Sequence, residues 1–265
     1  MSALSDYSEN KLADHAVGTA TYTPGATLTV KLYTSSPSDS GGGTEVSGGG
    51  YVAATLTNNT VNFPQSLTSG SPTKTNGTVI QFPVATASWG TITHWAIYEG
   101  ANLLVYGPFS PSNYVSPADA PKIDAGKLSI EFLSAGAGGL TESVRRKLLD
   151  LMFGGLIYTK PTTVYASAAV ALSGETLTDW VDSGYARKPI AFSFAIGGVA
   201  FSSNNQTINS GVVDAGSSDI LTHYGIWDDL VSGSLIAVGA LSTPRTPAQA
   251  DSVRFNTGEI VLTLQ

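Results

Sequence analysis

The sequence contains no cysteine, which excludes a disulfide scaffold, cysteine-ligated zinc and thiol catalysis. Charge is also sparse: 12% of residues are Asp, Glu, Lys or Arg, about half the usual share of a soluble domain. No apolar run approaches the length of a membrane-spanning helix, so no membrane partner is expected. The opening stretch "MSALSDYSENKLADHAVG" has no apolar segment of the kind a signal peptide needs. Basic residues are outnumbered, 13 against 20 acidic ones. The densest basic group, Arg145-Arg146-Lys147, is expected on a helix as a solvated face or an interface edge. Without a basic patch the chain is not expected to bind nucleic acid. What is present is 42% hydrophobic residues, 29 Gly and 13 Pro. That composition can build a core, and it favours short strands joined by many turns.

One eight-residue pattern occurs twice: "ITHWAIYE" at 92–99 and "LTHYGIWD" at 221–228. The stretch "KLADHAVGTATYTPGAT" at 11–27 likewise aligns without a gap on "KLLDLMFGGLIYTKPTT" at 147–163. "GGGYVA" at 48–53, "NLLVYGPFS" at 102–110 and "AGKLSIEFL" at 125–133 meet "DSGYAR" at 182–187, "SLIAVGALS" at 234–242 and "NTGEIVLTL" at 256–264. Collinear matches of this kind mark a tandem duplication. The small-residue stretch "SAGAGG" at 134–139 divides the copies into 1–134 and 135–265.

Each copy is expected to begin with a helix. In the second, Thr141 stands at the N-cap position and Glu142 in the first turn, followed by a stripe of Val144, Leu148, Leu151 and Met152 that Gly154-Gly155 ends. In the first, Asp6 with Glu9 reads as the cap and Gly18 as the stop, over a thinner stripe of Tyr7, Leu12, Ala16 and Val17. Strands are expected near 26–33, 50–57, 77–84, 91–98, 102–110 and 127–133, and near 162–171, 184–201, 206–213, 219–227, 234–241 and 258–264. Pro83 and Pro108 place their strands at edges or bulges. The predicted fold is mainly β: two tandem β-sandwich, jelly-roll-like domains, each preceded by a short N-terminal α-helix.

Little in the sequence points to chemistry. His15 is matched by Leu151 and reads as packing or surface. His94 and His223 are matched to each other, and read as structural or interface histidines. No further donors stand at metal-ligand spacing, so neither a metal nor a cofactor is expected. Trp95 and Tyr224 read as equivalent core anchors. Ser71-Pro72-Thr73-Lys74 fits a Ser-x-x-Lys pattern but lies among loop formers, and the companion motifs are missing. Asp228-Asp229 suits a hairpin turn, because neighbours on a strand face opposite ways. Tyr51, Trp180 and Tyr185 would make a partner or glycan contact if they were exposed on one face; core packing is the competing reading.

The run from "SDYSENKLADHAVGTATYTPGATLTVKLYTSSPSDSGGGTEVSGGGYVAATL" through "FPVATASWGTITHWAIYE" to "NLLVYGPFS" resembles a family of small structural proteins of tailed bacteriophages. Its members are commonly labelled phage tail fibre protein. The first copy carries the resemblance to about residue 133, and the other copy has the character of a diverged repeat. The resemblance implies a virion component with no enzymatic activity and no catalytic residues. The expected function is a capsid-decorating (cement) protein at the virion surface. The alternative is a tail fibre or baseplate accessory protein with a host-receptor or glycan-binding role. The expected partners are other virion proteins, major capsid or tail, together with further copies of the chain in a symmetric oligomer such as a trimer.

Overall fold

A computed structural model describes residues 2–67, 71–132, 138–196, 200–214 and 219–264. The first copy supplies β1 (Ala3–Leu4), α1 (Asp6–Ala16), β2 (Thr27–Ser35), β3 (Thr44–Glu45), β4 (Ala54–Thr57), β5 (Thr73–Thr75), β6 (Ile80–Gln81), β7 (Gly90–Glu99), β8 (Asn102–Val115), β9 (Lys122–Ile123) and β10 (Ser129–Glu131). The second supplies β11 (Gly138–Leu140), α2 (Glu142–Met152), β12 (Val164–Ser173), β13 (Thr176–Asp179), β14 (Lys188–Ile190), β15 (Ala200–Ser203), β16 (Ile208–Val212), β17 (Leu221–Trp227), β18 (Leu235–Arg245), β19 (Ser252–Phe255) and β20 (Val261–Leu264). The protein is mainly β, with two similar sheet-rich units.

The duplication is complete at the level of strand pairing. One sheet runs β1-β8-β7-β2-β3 with β4 also on β2, and the other runs β11-β18-β17-β12-β13 with β14 also on β12. The two-stranded ribbons correspond as well: β5 with β10 and β6 with β9 in one copy, β15 with β20 and β16 with β19 in the other. Every pairing is antiparallel, so hairpins and short loops suffice to connect the strands.

Period-2 burial sets the core face of each sheet. Leu28, Val30 and Leu32 of β2 lie with at most 3% exposure, and Trp95 and Ile97 of β7 join them. The ladder of β7 with β8 is irregular between Ile92 and His94, the extra residues lying on β8, and Ile92 is buried as Trp95 is. Pro108 pairs with His94 beside this irregularity, in keeping with the expected bulge or edge position. Pro83 falls outside any strand. Ribbon residues close over this face: Leu32 and Ile92 line a cavity of about 90 Å³ together with Phe82, Pro121 and Ile123.

The structure corrects the cap of α1 and adds detail to both helix starts, with Thr141 at the N-cap position of α2 as expected. A short strand, β1 or β11, precedes each helix. Ser5 caps α1, its Oγ accepting the Ser8 N–H at 3.2 Å, so Asp6 is the first helical residue instead of the cap. Thr141 turns its hydroxyl to Leu235 O (2.9 Å) in the sheet, and the Glu175 carboxylate takes the Glu142 N–H at 2.7 Å. Ser5 makes the equivalent bond to Leu103 O. The cap residues thus pin each helix start to the neighbouring strand.

The sequence copies and the compact units divide the chain differently. The first unit comprises Met1–Glu9, Thr23–Leu133 and Arg145–Tyr158; the second comprises Asn10–Tyr22, Ser134–Val144 and Thr159–Gln265. Each helix therefore gives its first residues to the unit of its own copy and the remainder to the other unit.

Candidate functional site

Each sheet presents a matched group of ring, cation and carboxylate. On the first, Lys31 Nζ bonds Glu45 Oε2 at 2.9 Å and sits 4.6 Å from the centre of the Tyr98 ring. Tyr98 OH and Tyr33 OH are 2.9 Å apart, and burial holds the Tyr33 hydroxyl well above the usual phenol range. On the second, the Arg187 guanidinium bonds Asp179 Oδ2 through Nε (3.1 Å) and Nη2 (2.8 Å), and lies 3.6 Å from the Trp227 ring centre. Ser167 stands where Lys31 does in the first copy, and ties Asp179 to Trp227 by donating to Oδ1 (2.7 Å) and accepting from Nε1 (2.9 Å). The cation has moved to another strand region while its ring and carboxylate partners kept their places.

A further matched feature is a tyrosine that closes the sheet. Tyr51 OH accepts the Leu32 N–H at 2.9 Å, and its ring meets Trp89 edge-on at 5.2 Å. Tyr185 OH accepts the Ala168 N–H, and its ring lies 5.0 Å from Trp180. Burial raises the pKa of both phenols, so each keeps its proton. Trp180 is only 2% exposed. The three aromatics considered for partner or glycan contact thus have hydroxyls or ring faces taken up inside the unit, because the loop carrying them folds back over β2 or β12. Tyr51 and Tyr185 remain partly exposed, and Trp180 is buried.

The echoed motif is placed as follows. Trp95 (4% exposed) pairs across the ladder with Gly107, and Tyr224 (6%) with Gly239. A Cβ on Gly107 would stand 2.7 Å from the Trp95 ring, and one on Gly239 would stand 2.2 Å from Tyr224 Oη. Each aromatic covers the glycine opposite, and Tyr224 also donates to Val261 O at 2.7 Å. His94 Nδ1 lies 2.9 Å from Thr93 Oγ1, and His223 Nδ1 lies 2.7 Å from Thr222 Oγ1. Thr222 donates to Val170 O at 2.9 Å, so the His223 ring donates to Thr222. Burial lowers the pKa of His94. Among the described residues, no three His, Asp or Glu side chains converge in a group that could hold a metal ion.

The residues that seat the helices carry no recognisable motif in the sequence. In the first unit Asp150 Oδ1 accepts Ser66 N (2.8 Å), Ser66 Oγ (2.7 Å) and Lys74 Nζ (2.6 Å). The Lys74 side chain has 0% exposure. Asn58 closes the end of α2, its Nδ2 donating to Met152 O (2.9 Å) and its Oδ1 accepting Gly154 N–H (2.6 Å). Lys74, expected among loop formers, stands on β5. In the second unit Asp14 Oδ1 accepts Ala195 N–H at 2.8 Å, and Lys160 Nζ donates to Gly18 O at 2.6 Å. His15 is buried, its Nδ1 accepting the Tyr22 N–H at 3.0 Å. Arg145, expected on a solvated face or an interface edge, is buried as well and donates to Phe132 O at 2.7 Å. A polar residue inside a helix stripe was the available signal, but its partner lies far along the chain.

A family model described as podophage GP4 fiber I protein gp80 matches residues 3–131 and matches again over residues 139–263. The chain belongs to the gp80 fibre family. Comparison with curated proteins finds no match. The two family matches coincide with the two sets of ten strands, so this member carries the gp80 module twice. It is a fibre-type structural protein of a bacteriophage.

Proposed function

We propose that this gp80-family protein is a non-enzymatic subunit of a phage tail appendage at the virion surface, held there by contacts with other tail proteins and with further copies of itself. The observation that carries the reading is the fibre family's match to both copies, end to end. The architecture supports it. Matched carboxylates, cations and rings are spent on bonds within each unit, which suits a stiff spacer better than a reaction centre. The packed state of Tyr51, Trp180 and Tyr185 leaves receptor or glycan contact to other residues or to other proteins of the appendage. The test is to tag the C-terminus in the phage genome, label virions with gold-conjugated antibody and image them. Label at the tail is expected. Label distributed over the capsid would replace this reading with the capsid-decorating one.

A further inference from the structure

Two sequence copies bring two helices and two sheets. A helix can serve the sheet of its own copy or that of the other. In this chain the units hold Arg145–Tyr158 with the first set of strands and Asn10–Tyr22 with the second. We propose that the helix-receiving face of each unit is a docking site for a repeat helix supplied by another copy. In this view reciprocal seating, and not the peptide link at residues 134–137, joins the two copies. The partner this face takes is a second repeat of the same type, and here it is present in the same chain.

The seats are built for the helices they hold. In the first unit, Asp150 brings the carboxylate to which Ser66 and the fully buried Lys74 donate. Burial depresses the Lys74 pKa and Asp150 works against that fall. The Phe63 and Phe153 rings meet at a tilt of 49°, their centres 5.8 Å apart. In the second unit, Leu12, Ala13 and Ala16 of α1 are completely buried, and the helix is held by the Asp14–Ala195 and Gly18–Lys160 bonds.

The seats correspond position by position. Asn76 and Asn204 mark equivalent corners: their Oδ1 atoms accept Leu128 N and Ile260 N, and their Nδ2 atoms donate to Asp124 O and Asn256 O. Two residues before these asparagines stand Lys74 and Ser202. Both helices carry an aspartate at the matching position: Asp150 meets the Lys74 ammonium of its seat at 2.6 Å, while Asp14 accepts the Ala195 N–H and feels Lys11 of its own helix. A carboxylate arriving on a helix from another copy therefore meets a buried lysine of the strands in the first unit.

The test uses the full chain. A protease site is inserted between Ala135 and Gly136, the protein is folded and then cut, and the products are run on size exclusion with light scattering. The cut fragments are expected to elute together at the mass of the uncut chain, and hydrogen exchange is expected to show α2 amides as protected as before cutting. In the cut protein, Asp150→Ala should raise the share of free fragment by about tenfold or more. Lys122→Ala, in the exposed Lys122–Asp124 pair, should leave it unchanged. Fragments that part without denaturant would overturn the proposal. So would a stable pair whose α2 amides exchange freely, or one indifferent to Asp150→Ala.

Discussion

Asp14 and Asp150 occupy the same place on the two helices, and each carboxylate accepts a main-chain N–H from the other sequence copy, from Ala195 and from Ser66, at 2.8 Å in both cases. The surroundings differ. Asp150 also accepts from Lys74, whereas burial is the leading influence on Asp14 and raises its pKa. One geometry therefore carries two electrostatic outcomes, and it separates the effects of the same substitution at the two positions.

Asp14→Asn should be tolerated at neutral pH, because the amide oxygen can still accept from Ala195 and no charge remains to be desolvated. The raised pKa means that the folded state holds the Asp14 proton more tightly than the unfolded chain. This residue's contribution therefore favours folding at acid pH, and is lost as pH rises from the ordinary aspartate range through the raised value. Thermal unfolding measured across that window should show a pH-dependent component that Asp14→Asn removes.

Breaking the buried pair should be costly, and replacing it whole should not. Lys74→Met or Asp150→Leu alone is expected to destabilise by about 3–5 kcal/mol, since each leaves an unpaired charge inside. The double variant should recover most of that loss, because both charges are gone and apolar side chains fill the space. A denaturant-unfolding double-mutant cycle gives the comparison. Additive losses would show that the pair is not a desolvated unit.

Gly107→Ala and Gly239→Ala should each destabilise by about 1–3 kcal/mol through overpacking. The new methyl would meet Trp95 in the first unit and Tyr224 in the second. The loss should be smaller in Trp95→Leu or Tyr224→Leu backgrounds, where the covering ring is gone. Thermal melts of the four single and two paired variants decide this.

Tyr51→Phe and Tyr185→Phe each remove the acceptor of one main-chain N–H, that of Leu32 and that of Ala168. A donor left unpaired in the sheet costs about 1–3 kcal/mol. Hydrogen exchange at these two amides should speed up in the matching variant only, because the tyrosines serve different units.

Much of the architecture was legible in the chain. The echo around His94 and His223 marked the duplication, since paired strands with one core face repeat their pattern at every matched position. The α2 stripe and its Gly154-Gly155 stop were legible because helix periodicity and left-handed glycines are local properties. The starting strands β1 and β11 escaped because two or three residues carry no readable period. Trp180 was ambiguous for a different reason: an aromatic on a loop has the same sequence signature whether it points out or is packed against Tyr185.

By itself the sequence determined that this protein is two homologous, turn-rich β modules, each opened by a helix, with no thiol chemistry. Which helix serves which sheet was decided only by the tertiary structure. The physical reason lies in the duplication. Because the two helices present matching apolar faces and matching aspartates, and the two sheets present matching strands, every local pattern is satisfied equally well with the helices kept or exchanged. Only contacts such as Asp150 with Ser66 and Lys74, and Asp14 with Ala195, distinguish the two arrangements.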